Sequence, residues 1–98
     1  MHMVIRRYAM QPSKVAEVVR KVDEQYLEKL HSLPGFDAYY VLDDGDGKLV
    51  SVTVSTDEAS AKAINRLSKE WVDTWLRDVH LELVETIDGP VVVHGGQG

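Results

Sequence analysis

The middle of this chain has room for little but a β-hairpin. Phe36–Leu42 is rich in aromatic and β-branched residues, and Leu49–Ser55 alternates Val50, Val52 and Val54 with Ser51, Thr53 and Ser55. Between them, Asp43-Asp44-Gly45-Asp46-Gly47-Lys48 offers glycines for the positive φ angles a tight turn demands. On both flanks the spacing changes. Val15, Val18, Val19, Val22, Tyr26, Leu30 and Leu33 recur at helical steps over about five turns. Pro12 and Ser13 open that helix, with Ser13 as its N-cap, and Pro34-Gly35 stops it. After the hairpin, Ile64, Leu67, Trp71 and Trp75, widened by Val72, Leu76 and Val79, predict a second helix to about Asp78. Ser55 and Glu58 stand where a capping box would open it. Met3–Met10 and Leu83–His94 read as the first and last strands, the latter interrupted near Asp88-Gly89-Pro90. Residues 95–98 read as a flexible tail on a single domain spanning 1–98.

The predicted order is β-α-β-β-α-β. It corresponds to an α+β, ferredoxin-like arrangement: a four-stranded antiparallel sheet with both helices on one face. The second strand is apolar on both sides, with Phe36, Ala38, Tyr40 and Leu42 on one face and Tyr39 and Val41 on the other. A sheet face left to water should be polar, so a homodimer is expected in which two sheets cover each other. A net charge of −5 disfavours nucleic acid or an anionic membrane as partner. The absence of cysteine excludes disulfides, thiolate metal sites and a thiol nucleophile, and predicts a cytoplasmic location. No apolar run is long enough to cross a membrane, and none follows Met1 to support export.

Val4-Ile5-Arg6-Arg7-Tyr8, Leu33-Pro34-Gly35-Phe36, Val50-Ser51-Val52-Thr53-Val54 and Asn65-Arg66-Leu67-Ser68-Lys69-Glu70-Trp71-Val72 together span nearly the whole chain. In this order they resemble the antibiotic biosynthesis monooxygenase (ABM) domain of the dimeric α/β-barrel superfamily. The resemblance implies a homodimer with a pocket between each sheet and its own helices, often holding a flat polycyclic or quinol-like molecule. Some members of that superfamily oxygenate such molecules without metal, flavin or haem; others degrade haem, isomerise small molecules or have no known activity. In the cofactor-free members an Asn and a Trp on the second helix are associated with substrate binding. Asn65 and Trp71 are six residues apart, about 240° round a helix, which predicts Asn65 facing solvent. The haem-degrading branch adds a His after the Trp, approximated by His80, and an Asn on the first strand, where this chain has Arg6 and Arg7.

The residues themselves suggest a candidate pocket. Trp71 and Trp75, four apart, share a helix face and either stack on a planar ligand or fill the core. Arg6 and Arg7 leave opposite faces of their strand, so one points inward, toward an anionic ligand or toward Asp37, Glu82 or Glu85. Tyr40 or His31 is placed to assist proton transfer, although His31 near a helix end also suits the dipole there. No histidine pair has metal-ligand spacing; His2 and His94 meet at the sheet end if the first and last strands pair. The acidic turn is no calcium loop, because Leu42 and Thr53 would occupy its first and last ligand positions. No nucleophile motif is present. Two functions compete: a cofactor-independent monooxygenase of an aromatic or quinol-like compound, and a non-catalytic dimeric module that binds a hydrophobic metabolite. Neither requires a cofactor or a metal.

Overall fold

In the computed structural model, which describes residues 1–96, the elements follow the expected order. Strands β1 (His2–Ala9), β2 (Phe36–Gly45), β3 (Lys48–Ser55) and β4 (Glu82–Pro90) form one sheet in the order β2-β3-β1-β4. Every neighbouring pair is antiparallel. The first helical rod comprises α1 (Val15–Lys21), a π-helical turn (Val22–Tyr26) and α2 (Leu27–His31) in unbroken succession. The second is α3 (Glu58–Trp75), followed by a 3-10 turn at Arg77–Val79. The core lies between rods and sheet: Val18, Tyr26 and Leu30 meet Ile64, Trp71, Leu76 and Val79 over Leu49. This is a ferredoxin-like βαββαβ fold.

The hairpin closes on two residues. Gly45 pairs with Lys48, and both Asp46 (φ 52°) and Gly47 (φ 77°) are left-handed, the signature of a type I′ turn whose twist matches its strands. The Asp43 carboxylate accepts the Gly45 N–H at 2.9 Å. Gly47 does more than turn. Its carbonyl accepts the Met10 N–H at 2.8 Å, and a Cβ there would sit 2.0 Å from the Met10 carbonyl oxygen. Gly35, at φ 80°, ends the first rod against Ser60 in the same close fashion.

Several local expectations are corrected. Ser13 caps nothing, because a 3-10 turn at Pro12–Lys14 precedes α1 and needs no side-chain acceptor there. Asp57 rather than Ser55 caps α3, accepting the Ser60 N–H at 2.8 Å, while the Ser55 hydroxyl donates to the Asp57 carbonyl. The last strand ends at Pro90, and residues 91–94 form no strand. The expected tail reaches residues 97–98, which lie outside the described residues; 95–96 have no regular structure. A register shift between Phe36 and Ala38 turns Phe36 to the core with Tyr39 and Val41, away from Ala38, Tyr40 and Leu42.

The first rod is not a uniform α-helix. The Leu27 N–H reaches the Val22 carbonyl, five residues back, so one extra residue is absorbed in that turn. Eight regular steps would set Tyr26 about 80° round from Val18; with the extra residue they differ by about 20°. Val18, Tyr26 and Leu30 therefore bury on one side.

Gly47→Ala should cost at least about 2 kcal/mol in urea unfolding, since left-handed strain adds to a backbone clash. Gly45→Ala, where a Cβ meets nothing within 4 Å, should cost only the strain, about 1 kcal/mol. Equal losses would refute the close-approach account.

Candidate functional site

Strand β1 alternates. His2, Val4, Arg6 and Tyr8 turn to the helices, and Met3, Ile5 and Arg7 turn to the open face, as their partners on β3 confirm: Arg6 lies opposite Ser51 and Arg7 opposite Val50. Arg6 donates to the Asn65 side-chain oxygen on α3. Together with Tyr8, Ser68, Lys69 and Asp73 they line an open cleft of about 530 Å³ between α3 and the β1–β4 side of the sheet. Its floor is a half-buried guanidinium, a ready partner for an anion.

Behind this cleft lies a small inner cavity of about 40 Å³, walled by Tyr8, Tyr26, Tyr39, Ser51, Ser68 and Trp71 among aliphatic side chains. That volume holds a few waters and no more. The Tyr26 ring packs edge-on to Tyr39 at 5.4 Å between centroids and tilts against Trp71 at 5.0 Å. Burial pushes the hydroxyls of Tyr8, Tyr26 and Tyr39 above their usual pKa, and Tyr39 most of all. Positive charge on Arg6 opposes the effect at all three; Ser68 opposes it at Tyr8 and Tyr26, and Ser51 at Tyr39. One donor stands apart: Trp71 is 3% exposed, and its indole Nε1 has no hydrogen-bond partner among the described residues. An unpaired buried donor costs about 1–3 kcal/mol, so an acceptor reaching it would be favoured.

Of the six residues expected to form one pocket, Arg6 lines the cleft and Trp71 the neighbouring cavity, and the other four line neither. Arg7 sits on the open face, its Nε 3.0 Å from Glu85 and its Nη1 4.0 Å from Asp44. Tyr40, 58% exposed, shares that face. His31 ends α2 at the surface, packed edge-on to the Phe36 ring. Trp75, 49% exposed, lies in a surface groove beside Glu24, Glu28 and Lys29, because its extra 40° of helix rotation carries it past the core. Asn65 does not face solvent. It and Trp71 lie about 60° to either side of Ser68, which is why Asn65 lines the cleft, Trp71 the cavity and Ser68 both.

Sequence reasoning missed Tyr8, Tyr26, Tyr39 and Ser68. Extending the inward period of β1 from Arg6 would have found Tyr8, and extending the α3 face from Ile64 would have found Ser68. Tyr26 depends on the π turn, which has no sequence signature. His2 pairs with Asp88, not with His94, which lies beyond β4. His80 lies past the end of α3 in a left-handed conformation. Among the described residues no three His, Cys, Asp or Glu side chains group to hold a metal, and no helix is long and apolar enough to cross a membrane.

No protein-family model matches the chain, and no curated protein matches it either. Solved structures do. HapK from Hahella chejuensis superposes with a TM-score of 0.78 at 19% identity, over 100% of this chain and 99% of that one. A dimeric ferredoxin-like protein from an uncultured marine organism gives 0.76 at 10% identity, over 99% and 100%. SnoaB from Streptomyces nogalater, a cofactor-independent oxygenase, gives 0.70 at 17% identity, over 95% and 94%. Further antibiotic biosynthesis monooxygenase proteins share the architecture, so the ABM-like fold expected from the sequence is the fold of this chain.

The tyrosines set an alkaline limit. An unfolded tyrosine ionises near 10.0, whereas the buried ones are held neutral above that value. The stability they contribute is complete below pH 10 and is lost as pH rises toward their folded values, at up to about 1.4 kcal/mol per pH unit for each. Urea unfolding from pH 8 to 11.5 should show this decline, and Tyr39→Phe should make it shallower. An unchanged slope in that variant would place the alkaline sensitivity elsewhere.

Proposed function

We propose that this protein is a homodimeric, cofactor-independent monooxygenase of an aromatic or quinol-like small molecule, acting in the cytoplasm. One observation carries the reading: the Arg6–Asn65 pair and Tyr8 form the floor of a cleft that shares Tyr8 and Ser68 with the cavity walled by Trp71. The described cofactor-independent oxygenase with this fold adds support. In the proposed reaction the substrate first gives up a proton from a ring methylene, and Arg6 holds the resulting anion. The anion reduces dioxygen by one electron, and the radical pair combines to form a carbon–oxygen bond. The O–O bond then breaks and the second C–H bond is lost. One oxygen atom stays on carbon as a carbonyl, and the other leaves as water with the two hydrogens of the methylene. The substrate supplies all the electrons, so no external reductant is needed. Trp71, Tyr26 and Tyr39 exclude bulk water from the far side.

The homodimer rests on a feature of β3. Its serines and threonine face the helices, while Val50, Val52 and Val54 face outward; Val50 and Val54 are buried among their neighbours, and the exposed apolar groups of that face are Tyr40, Leu42 and Ile87. An outward apolar stripe on an interior strand calls for a cover. The marine protein of this fold is described as dimeric. A second reading is a dimeric binding module without catalysis. It is favoured by the small inner cavity, where the expected pocket volume is taken up by tyrosine and tryptophan.

Oxygen uptake against a panel of quinols and anthrone-like phenols separates the two. The oxygenase predicts protein-dependent uptake that falls about 10²-fold in Arg6→Gln, with the fold intact by circular dichroism. No uptake across the panel shifts the assignment to the binding module. Light scattering at micromolar concentration should give twice the chain mass for the wild type and one chain mass for Val52→Asp. A monomeric wild type would overturn the assembly.

A further inference from the structure

We infer that the apolar groove between the first helical rod and edge strand β2 is a second subsite, which takes the unbranched apolar tail of the ligand whose anionic head lies on Arg6. The inference rests on the cleft reading proposed above and extends it to the opposite side of the molecule. The groove is about 840 Å³, floored by Tyr39 and Val41 and walled by Val15, Val19, Val22 and Leu27, and Arg20, Asp23 and Asp43 also line it. It borders the inner cavity, with which it shares Val19, Val22, Tyr39 and Val41 as a common wall. The cavity in turn shares Tyr8, Ser68, Val72 and Leu81 with the polar cleft. Three spaces therefore lie side by side along the seam between helices and sheet, a charged mouth, a narrow aromatic neck and an apolar groove, and the ligand's tail parts the side chains between them.

Each end has its own chemistry. The mouth carries Arg6 and Lys69 against Asp73, a net positive charge suited to a carboxylate or phenolate. At the groove Val19 is 42% exposed, although it belongs to the helical stripe that buries Val18. The neck decides the shape of what crosses it. At about 40 Å³ between Tyr26, Tyr39 and Trp71, it admits a methylene chain more readily than a fused ring system. Tyr26 stands on the π turn, where the hydrogen-bond ladder is already irregular, so the neck widens there at the least cost in regular helix.

The test is calorimetric titration with 4-alkylbenzoates, from 4-methylbenzoate to 4-octylbenzoate. Affinity should rise about fourfold per added methylene until the groove is full. Val19→Glu should weaken 4-octylbenzoate at least tenfold while leaving 4-methylbenzoate within twofold, and Arg6→Gln should weaken both. If 4-methylbenzoate binds through Arg6 but tail length makes no difference, or Val19→Glu affects both probes alike, the groove subsite is refuted and the cleft reading survives. If neither probe binds, or Arg6→Gln is without effect, the cleft reading fails and the subsite with it. If Val19→Glu shifts the sedimentation of the free protein, the groove is a contact between copies, and the subsite is likewise refuted.

Discussion

Strand β1 is hydrogen-bonded along both edges, so each of its side chains must go either to the helices or to the open face of the sheet. That parity decides much of what the molecule can do. At even positions it sends His2, Val4, Arg6 and Tyr8 beneath the helices, and Arg6 and Tyr8 become the floor of the cleft. At odd positions it sends Arg7 outward, where Glu85 and Asp44 neutralise it at the end of an otherwise apolar surface. A shift of one residue would exchange the two arginines, parting Arg7 from Glu85 and Asp44 and Arg6 from Asn65.

The fold was legible because its signals are redundant. The central hairpin, two helical stripes and the Pro34-Gly35 stop each point to the same arrangement, so the misplaced caps at Ser13 and Ser55 changed nothing larger. The site was legible only in part. Adjacent arginines announce that one is inside without saying which, because the register comes from pairing with β3 and β4, not from β1 itself. Trp71 and Trp75 share a face in projection, yet 40° of rotation separates a core residue from a surface one. Tyr26 reads in the sequence as part of a regular stripe, and only the absorbed residue at Val22–Tyr26 explains how Val18 and Tyr26 both reach the core. Phe36 changes faces for a similar reason, a one-residue irregularity beside Asp37.

Ser68 links the two compartments of the site. It borders the cleft that holds Arg6 and the cavity that holds Trp71, and its hydroxyl acts on both Tyr8 and Tyr26. Ser68 stands on the wall common to both, and a bulky residue here would take space from each. The chemistry of the mouth and the shape of the interior thus share one position on α3.

The outward valines of β3 also bear on how the chain survives its own synthesis. Val50, Val52 and Val54 lie beside β2, which exposes Tyr40 and Leu42 on the same face and whose outer backbone edge is unpaired within the sheet. Apolar, β-branched segments next to an open edge are what drive strands of separate chains into aggregates. The charges at one end of that surface, Arg7 with Glu85 and Asp44, act as gatekeepers that make stacking of further sheets electrostatically awkward. The two neighbouring aspartates thus divide the work: Asp43 shapes the turn that closes the hairpin, and Asp44, with Arg7, guards its most adhesive surface.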